Sequence, residues 1–488
     1  MTGSAGRSAY LGIDLGTSGL KLTLVGSDGA LIGEAEASYG VHTPRPGHAE
    51  TDPAEWARAL DQARTALFGS LLSGGEPPTV ASVGVTGQMH GVVLVGQDGK
   101  PLRPAVLWPD QRAESSLGAW QALPETVRQR LGNPLVAGMA GPILSWLREH
   151  EPRSVAATAV VMSPKDWLRA VLTSDRTTER SDASATLLWD VVSDAWSTEA
   201  LQLAGVRAEQ LPRVVSSAEV VGTTPITAPA LSGDEHVPVV AGGADTACAL
   251  AAVKAAAIGA DGPEAVGRDA GADILVVNVG TGIQILRPAV AARAGPSPVT
   301  HLYADTEGGW YEMLALQNGG LALSWVQAQL GTEWDELVRM AASAPPGSSG
   351  AVFVPFLTGE RGGVASTSAT ASWQGLTPAV GRAELARAAF EGLAFTIRHG
   401  IDILGARGPV LLCGGGSREP WLRQLIADAV GLPMRHVELR SASAVGAAVL
   451  AARGVGAHLS VPATVTDLDP ASNHALETAY ERWRGAIR

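Results

Sequence analysis

The chain has 488 residues and a formal net charge of -12, with 46% hydrophobic and 17% charged residues. This composition is typical of a folded globular protein, and the length allows two or three domains. An acidic balance without a basic patch argues against a nucleic-acid-binding surface. Cys248 and Cys413 are the only cysteines, too few for a disulfide framework or a cysteine-based metal site.

The sequence shows no targeting or membrane-spanning pattern. No early apolar run has a basic start and a small-residue cleavage site, and no uninterrupted apolar stretch is long enough to span a membrane. We therefore expect a cytoplasmic protein with neither a membrane nor a nucleic acid as partner. The oligomeric state stays open, and a homodimer is one form that the sequence allows.

The first predicted element is a β-hairpin over residues 10–25, which read YLGIDLGTSGLKLTLV. Apolar residues alternate on both sides of a turn that contains Gly16, Thr17 and Ser18. Such a turn can bind an anion through backbone N–H groups and hydroxyls, because glycine allows close approach. Asp14 lies beside the turn and can hold Mg²⁺. The alternative is an ordinary tight hairpin with a solvated aspartate.

The next elements predict an α/β domain of mixed strand directions. A helix begins after Asp52, and strands over residues 80–85 and 92–95 enclose the segment GQMHG. In that segment His90 is a candidate to hydrogen-bond a substrate hydroxyl, or a histidine satisfied within a turn. Met89 has the character of a packing residue.

The segment PAVLWPDQR over residues 104–112 places an aromatic side chain next to charged ones. Asp110 and Arg112 can bind sugar hydroxyls, or they form a surface ion pair. Trp108 is more typical of a core than of a sugar-stacking platform. We expect residues 113–235 to be helical and rich in loops, with a linker at 231–236.

The second half begins with a predicted strand over residues 237–241, a turn and an Ala-rich helix. Asp245, at the start of that helix, is either a general base or a plain N-cap. A carboxylate at a helix N-terminus is held ionised by the helix dipole, so the two roles are compatible. Residues 255–270 are predicted to form a surface loop.

Residues 274–286, ILVVNVGTGIQIL, repeat the design of the first hairpin. We interpret the repeat as an internal duplication with two related lobes. Farther on, a strand over residues 410–413 enters the run Gly414-Gly415-Gly416-Ser417 before a helix, which predicts a nucleotide cradle. A last helix is expected over residues 443–452, followed by a mostly polar tail.

Together these turns predict phosphoryl transfer, which depends on positioned phosphates, Mg²⁺ and a base for the acceptor hydroxyl. Asp14 is the metal candidate and Asp245 the base candidate. The sequence lacks the Gly-x-x-x-x-Gly-Lys-Ser/Thr motif and the His-Arg-Asp and Asp-Phe-Gly motifs of protein kinases.

The whole pattern resembles the FGGY family of carbohydrate kinases. The matching stretches run in the family's order along nearly the whole chain: GIDLGTSGLK from residue 12, GQMHG from 87, LRPAVLWPDQR from 102, SPKDWL from 163, SDASATLLWDV from 181, VVAGGADTA from 239, VGTG from 279, LTGER from 357 and CGGGSREPWLRQLIAD from 413. GQMHG is the most telling of these, and it is typical of members that act on ketoses.

The resemblance implies an actin-like ATPase fold of the ribonuclease H-like class, α/β, with two duplicated lobes around a central cleft. We expect the lobes at residues 1–236 and 237–488. The resemblance further implies ATP and Mg²⁺ and gives the following roles by position: catalysis and metal binding for Asp14 and Asp245, sugar binding for Met89, His90, Trp108, Asp110 and Asp245, and nucleotide binding for Gly16, Thr17, Ser18, Lys21, Gly280, Thr281, Gly414, Gly415 and Ser417.

Some positions depart from the family's pattern. The residues concerned are Thr246 for the usual Asn, Pro109 and Gln111 in the Trp-Asn-Asp-Gly-Arg stretch, Ile143 for a Lys, Gly362-Gly363 for Thr-Pro, and Ser441 where an acid is usual nearby. These departures leave the kinase chemistry intact and the exact sugar open.

The resulting expectation is ATP-dependent phosphorylation of a terminal ketose hydroxyl, with D-xylulose converted to D-xylulose 5-phosphate. The first alternative is a kinase of the same family for another ketose or a polyol, such as ribulose or sedoheptulose. The second is a non-catalytic, sugar-sensing actin-like ATPase.

Overall fold

The computed structural model describes residues 8–73, 78–225, 236–259, 274–288, 290–295 and 299–487. The strands are β1 Ser8–Leu15, β2 Gly19–Gly26, β3 Leu31–Ser38, β4 Glu50–Thr51, β5 Thr79–Gly87, β6 Val93–Val95, β7 Ala105–Val106, β8 Val160–Met162, β9 Thr178–Glu179, β10 Trp189–Asp190, β11 Ala195–Trp196, β12 Val214–Val215, β13 Val220–Thr224, β14 Val237–Val240, β15 Gly243–Ala244, β16 Leu275–Val279, β17 Ile283–Pro288, β18 His301–Ala304, β19 Trp310–Leu316, β20 Val352–Val354, β21 Ser372–Gln374, β22 Val410–Cys413, β23 Met434–Glu438 and β24 Thr464–Leu468.

The helices lie between and around these strands. They are α1 Pro53–Ser73, α2 Leu117–Gln121, α3 Glu125–Arg130, α4 Ala140–His150, α5 Pro152–Ala157, α6 Pro164–Thr173, α7 Arg180–Ser184, α8 Thr198–Ala204, α9 Asp245–Gly259, α10 Gly320–Leu330, α11 Trp334–Ser343, α12 Arg382–Leu404, α13 Pro420–Val430, α14 Ala442–Gly454 and α15 His474–Ala486. Among the described residues, none of these helices is both long and apolar enough to cross a membrane.

Two large sheets organise the chain, and they share one topology. The first has the order β3-β2-β1-β5-β14-β13, with β15 also paired to β5. The second has the order β19-β17-β16-β22-β23-β24, with β18 added beyond β19. In both, the first two pairings are antiparallel, the next two parallel and the last antiparallel. The predicted α/β fold with two duplicated lobes is confirmed.

Two helices lie between the sheets and join them. Helix α14 packs on β1 and β5, where a Cβ added at Gly12 would lie 1.8 Å from the Ala444 carbonyl oxygen. Helix α9 packs on α14, and a Cβ at Gly446 would lie 1.9 Å from the Cys248 carbonyl oxygen. Glycine is therefore required at these contacts, because no side chain fits between the backbones.

The mostly polar tail after α14 is folded and packs on the second lobe. Strand β24 extends the second sheet, and α15 buries Leu476, Tyr480 and Trp483. The Trp483 indole N–H donates to the Phe353 carbonyl at 3.0 Å. These apolar residues recur at helical spacing among charged neighbours, a pattern that a purely compositional reading misses.

Two further boundaries, at the end of α9 and after β22, differ from the sequence-based expectation. Residues 255–259 belong to α9 rather than to a loop, because the alanines there suit a helix; residues 260–270 lie outside the described ranges. The expected linker at 231–236 is described only at His236. The glycine run after β22 forms a short 3-10 turn, Gly415–Ser417, and α13 begins only at Pro420.

The close contact between α9 and α14 leads to a stability prediction. We expect Gly446→Ala to lower the free energy of unfolding by about 3 kcal/mol, since the new methyl group must push two backbones apart. The matched control is Gly69→Ala on α1, where an added Cβ meets nothing within 4 Å and helix propensity improves. Urea unfolding measures both, and equal midpoints for the two variants would contradict the prediction.

Candidate active site

Asp14 and Asp245 lie at the same end of the first sheet. In the strand register Asp14 pairs with Thr86, and Thr86 pairs with Gly243 on the other side of β5. Neighbouring strands are about 4.8 Å apart, so the chains of β1 and β15 run about 10 Å apart at this level. Asp245 follows β15 directly as the first residue of α9. Two carboxylates distant in sequence therefore come together at one end of the first sheet.

Burial raises the pKa of both carboxylates, and the charge of Asp245 adds to the shift at Asp14. The pKa of Asp14 is raised to about 7, first by desolvation and then by the charge of Asp245, against a lowering by Lys21. Desolvation also raises the pKa of Asp245 to about 6, against hydrogen bonds from Thr246. Paired carboxylates with raised pKa values are typical of functional sites. Lys21 is the cross-strand partner of Asp14, and its ammonium lies 3.6 Å from Glu36.

The tip of the first hairpin presents free donors. The backbone N–H groups of Thr17 and Ser18 make no hydrogen bond within the described part of the chain. The Gly16 N–H bonds to the Gly19 carbonyl at 3.0 Å, and the Gly16 carbonyl accepts from the Gln88 amide at 3.0 Å and from the Tyr39 hydroxyl. The turn is thus held rigidly while two amides remain available for an anion.

The second hairpin has a matching tip. The Gly280 N–H bonds to the Gly282 carbonyl at 2.8 Å, and Thr281 is exposed, with a backbone N–H that is unpaired among the described residues. The Gly320 N–H donates to the Gly280 carbonyl at 2.8 Å, so the start of α10 supports this turn. The two lobes therefore each present a glycine hairpin with an open amide.

The glycine run after β22 forms a third turn. Gly414 has a φ of 95°, and a Cβ there would lie 2.3 Å from the Asn278 side chain. Ser417 is buried, and its hydroxyl donates to the Gly414 carbonyl at 2.8 Å. Gly415 is exposed at the top of the turn. Ser417 thus closes the turn, and a direct contact between its hydroxyl and a nucleotide stays a prediction.

His90 has an unusual backbone and a defined tautomer. Its φ is 72°, a left-handed conformation that is costly for a residue other than glycine and is typical of functional sites. Its Nδ1 lies 2.6 Å from the Ala185 carbonyl oxygen. Because a carbonyl only accepts, Nδ1 carries the proton. Desolvation lowers the pKa of His90 to about 4, so Nε2 keeps a free lone pair. Met89 is buried in the core, as expected for a packing residue.

Trp108 lies next to the first hairpin rather than in the core. Its side chain is 43% exposed, and its indole N–H donates to the Thr17 hydroxyl at 2.9 Å. The core alternative for this residue is therefore wrong. The tryptophan therefore connects the segment that carries Asp110 to the hairpin turn that carries Thr17.

Asp110 and Arg112 are buried, so the surface ion pair that we considered is wrong. The Arg112 guanidinium donates to both Asp110 oxygens, at 2.9 and 2.8 Å, and to Glu50 at 2.6 Å. The Ala49 N–H donates to Asp110 at 2.6 Å. The sequence contains no local signal for Glu50, which comes from β4. These contacts occupy Asp110, and its binding of a sugar stays a prediction.

Two residues near His90, His301 and Tyr303, were missed in the sequence. His301 is half-buried, its Nδ1 lies 2.7 Å from the Tyr303 hydroxyl, and desolvation lowers its pKa to about 3. The positive charge of Arg361 lowers the pKa of both His90 and His301. Glu360 is buried and accepts from the Gln317 N–H at 2.7 Å. Glu360 also accepts from the Arg361 backbone N–H at 2.9 Å, so it stabilises the turn that carries Arg361.

The departures from the family pattern fall in different places. Thr246 donates its N–H to Asp245 Oδ1 at 2.6 Å, and its hydroxyl lies 3.2 Å from the same oxygen. Ile143 is buried in the apolar core of the first lobe. Gly362 and Gly363 both have positive φ, 68° and 72°. Only Thr246 directly touches the paired carboxylates.

The chain has two duplicated lobes, each with a glycine hairpin, and a pair of carboxylates at the end of the first sheet. This combination is that of a phosphotransferase with the actin-like ATPase fold. The family comparison makes this specific: residues 9–252 match the N-terminal domain, and residues 275–455 the C-terminal domain, of the FGGY family of carbohydrate kinases. The chain belongs to the FGGY family of carbohydrate kinases. Its reaction is therefore phosphorylation of a carbohydrate, with ATP as the phosphate donor.

Individual relatives cover nearly the whole chain. A xylulose kinase of Escherichia coli (strain K12) is 32% identical over 450 residues, which are 91% of this chain and 89% of the relative. The crystal structure of a "xyloylose kinase" from Brucella ovis is 28% identical, with a TM-score of 0.85 and 98% of both chains covered. A gluconate kinase structure from Lactobacillus acidophilus, 21% identical, has a TM-score of 0.86 over 99% of this chain and 97% of that one, and supports the fold alone.

Proposed function

We propose that this chain catalyses the ATP-dependent phosphorylation of D-xylulose to D-xylulose 5-phosphate. The xylulose kinase names of full-length relatives support the substrate. The observation that carries the mechanism is the convergence of Asp14 and Asp245 at one end of the first sheet. Residues 1–236 and 237–488 remain our proposed lobes, although β14 and β15, which follow residue 236, hydrogen-bond to the first sheet.

In this proposal Asp245 accepts the proton of the terminal sugar hydroxyl. Its Oδ1 is occupied by Thr246, whereas Oδ2 has no hydrogen bond among the described residues. The sugar oxygen then forms a bond to the γ-phosphorus as the bond from that phosphorus to the bridging oxygen breaks, and ADP leaves. General-base assistance of this kind contributes typically about 10²–10⁴-fold.

His90 and its neighbours orient the sugar. The lone pair on Nε2 of His90 accepts a hydrogen bond from a sugar hydroxyl, because Nδ1 is held by Ala185. A neutral imidazole suits an uncharged ligand, and the low pKa of His90 keeps it neutral. Trp108, exposed beside Thr17, provides an apolar face next to the transferable phosphate.

The hairpin amides hold the phosphates, and the carboxylates suit Mg²⁺. Thr17, Ser18 and Thr281 supply unpaired N–H groups from opposite lobes. Asp245 is close enough to Asp14 to raise its pKa. A cation between two such carboxylates would relieve their repulsion. The described residues contain no group of three or more His, Cys, Asp or Glu side chains suited to a metal, which fits Mg²⁺ that keeps waters and phosphate ligands. Bound Mg²⁺ would neutralise phosphate charge during transfer.

The substrate is tested by comparing kcat/KM for D-xylulose, D-ribulose, sedoheptulose and polyols. We expect D-xylulose to exceed each of the others at least tenfold. Thr246 beside the base is the observation that favours the second candidate, a kinase for another ketose or a polyol. A higher kcat/KM for one of those would replace our substrate, whereas ATP hydrolysis that ignores every sugar would favour a sugar-sensing ATPase.

A further inference from the structure

The short helix α7 touches the reaction centre from both of its ends. At its start, the Ser181 hydroxyl accepts a hydrogen bond from the Ala244 N–H at 2.9 Å, and Ala244 immediately precedes Asp245. Just past its other end, the Ala185 carbonyl accepts from Nδ1 of His90 at 2.6 Å. One five-residue helix therefore links the proposed base to the proposed sugar-binding histidine.

The side chain of Glu179 fixes the start of this helix. Its carboxylate accepts from the N–H groups of Ser181 and Asp182 at 2.8 and 2.9 Å, and from the Ser181 hydroxyl at 2.7 Å. Because the Ser181 proton is donated to Glu179, a lone pair of that hydroxyl remains for the Ala244 N–H. Ser217 adds a fourth hydrogen bond to Glu179 at 3.0 Å.

Buried cations hold the rest of this network. The Lys165 ammonium, with a fully buried side chain, lies 2.7 Å from Asp166, 3.1 Å from Asp182 and 3.7 Å from Glu179. The Arg169 guanidinium donates to Asp166 at 2.8 Å and to the Ala241 carbonyl at 2.7 Å. Buried ion pairs seldom add stability over well-packed apolar side chains, so this network calls for another role.

Residues of this network form hydrogen bonds along the turn 241–244, which immediately precedes Asp245. Arg169 holds the Ala241 carbonyl, and the Ser217 carbonyl accepts from the Gly242 N–H at 2.9 Å. Gly242 has a φ of 82°, and a Cβ there would lie 1.7 Å from the Val85 carbonyl oxygen. Ser181 makes the last of these contacts before the base.

We infer that Ser181, held by Glu179, is a positioning residue for phosphoryl transfer. Through Ala244 it places Asp245 relative to the sugar on His90, and the inference rests on the proposed role of Asp245 as base. Displacement of a reacting group by about 1 Å costs on the order of 10²-fold in rate. Loss of the Ser181 hydroxyl leaves the Ala244 N–H without its partner and frees the base to move.

The test compares steady-state kinetics of Ser181→Ala and Ser217→Ala. Both side chains are buried and both hydroxyls donate to Glu179, but only Ser181 contacts Ala244. We expect Ser181→Ala to lower kcat 10- to 100-fold with KM for sugar and ATP within about twofold. Ser217→Ala should keep kcat within about twofold at a similar loss in melting temperature. Asp245→Asn is measured in parallel.

The outcomes separate the inference from the proposed function. Equal kcat for the two serine variants, or a Ser181→Ala effect confined to KM, overturns the inference while an inactive Asp245→Asn still supports the base. An active Asp245→Asn removes the proposed mechanism itself. If Ser181→Ala does not fold, Ser181→Cys, with a weaker acceptor of similar size, should show an intermediate kcat, and a wild-type kcat for it would also overturn the inference.

Discussion

Replacing Asp245 by asparagine should lower kcat by about 10²–10⁴-fold while changing KM for sugar and ATP only a few-fold. The amide has nearly the shape of the carboxylate, and its oxygen can still accept from Thr246, as Oδ1 does at 2.6 Å. It cannot take a proton from the sugar hydroxyl. An assay that couples ADP formation to NADH oxidation, with D-xylulose as acceptor, measures the effect.

The control for this variant is Asp52→Asn. Asp52 is an exposed aspartate whose carboxylate accepts from the Ala54 N–H at 2.9 Å at the start of α1. Asparagine caps helices about as well as aspartate, so activity should be unchanged. Near-normal turnover by Asp245→Asn would exclude Asp245 as the base, because an asparagine amide cannot accept the proton of the sugar hydroxyl.

Replacing Asp14 by asparagine should abolish efficient turnover and at the same time stabilise the protein at alkaline pH. The pKa of Asp14 is about 7 in the folded chain against 3.8 for the unfolded group, so the native state binds the proton more tightly. The cost of ionising Asp14 is therefore absent below about pH 4 and complete above about pH 7. Its removal should add on the order of 4 kcal/mol to the free energy of unfolding at pH 8.

Thermal or urea unfolding at pH 5 and pH 8, without divalent cation or nucleotide, measures this effect. The gain over the parent chain should grow from the lower to the higher pH, since only the parent must ionise a desolvated carboxylate. Asp52→Asn, at an exposed position, should show no such trend. If Asp14→Asn lowers the free energy of unfolding by the same amount at both pH values, the proposed cost of burying the Asp14 charge is wrong. If it raises the free energy of unfolding at pH 8, the parent chain sacrifices stability for function at this position.

Local patterns in the sequence were sufficient for the elements that carry the turns. The alternation around Gly16 predicted the first hairpin, and its repetition around Gly280 predicted a second, related lobe. The structure shows that the two lobes share one strand order. These features are encoded by neighbours within about ten residues, where period-two patterning and glycine geometry decide the backbone. The motif around His90 likewise identified a residue whose left-handed backbone is visible only in the structure.

The tertiary structure decided how these elements meet. β5 between β1 and β15 brings Asp14 and Asp245 together. Arg112, which also binds Glu50 from β4, holds Asp110 in the interior instead of at the surface. Ser181 acquires its partner Ala244 across 63 residues. Such contacts depend on strand register and on the burial of charge by distant segments, so the sequence by itself determined the parts of the cleft and only the folded chain determined their distances.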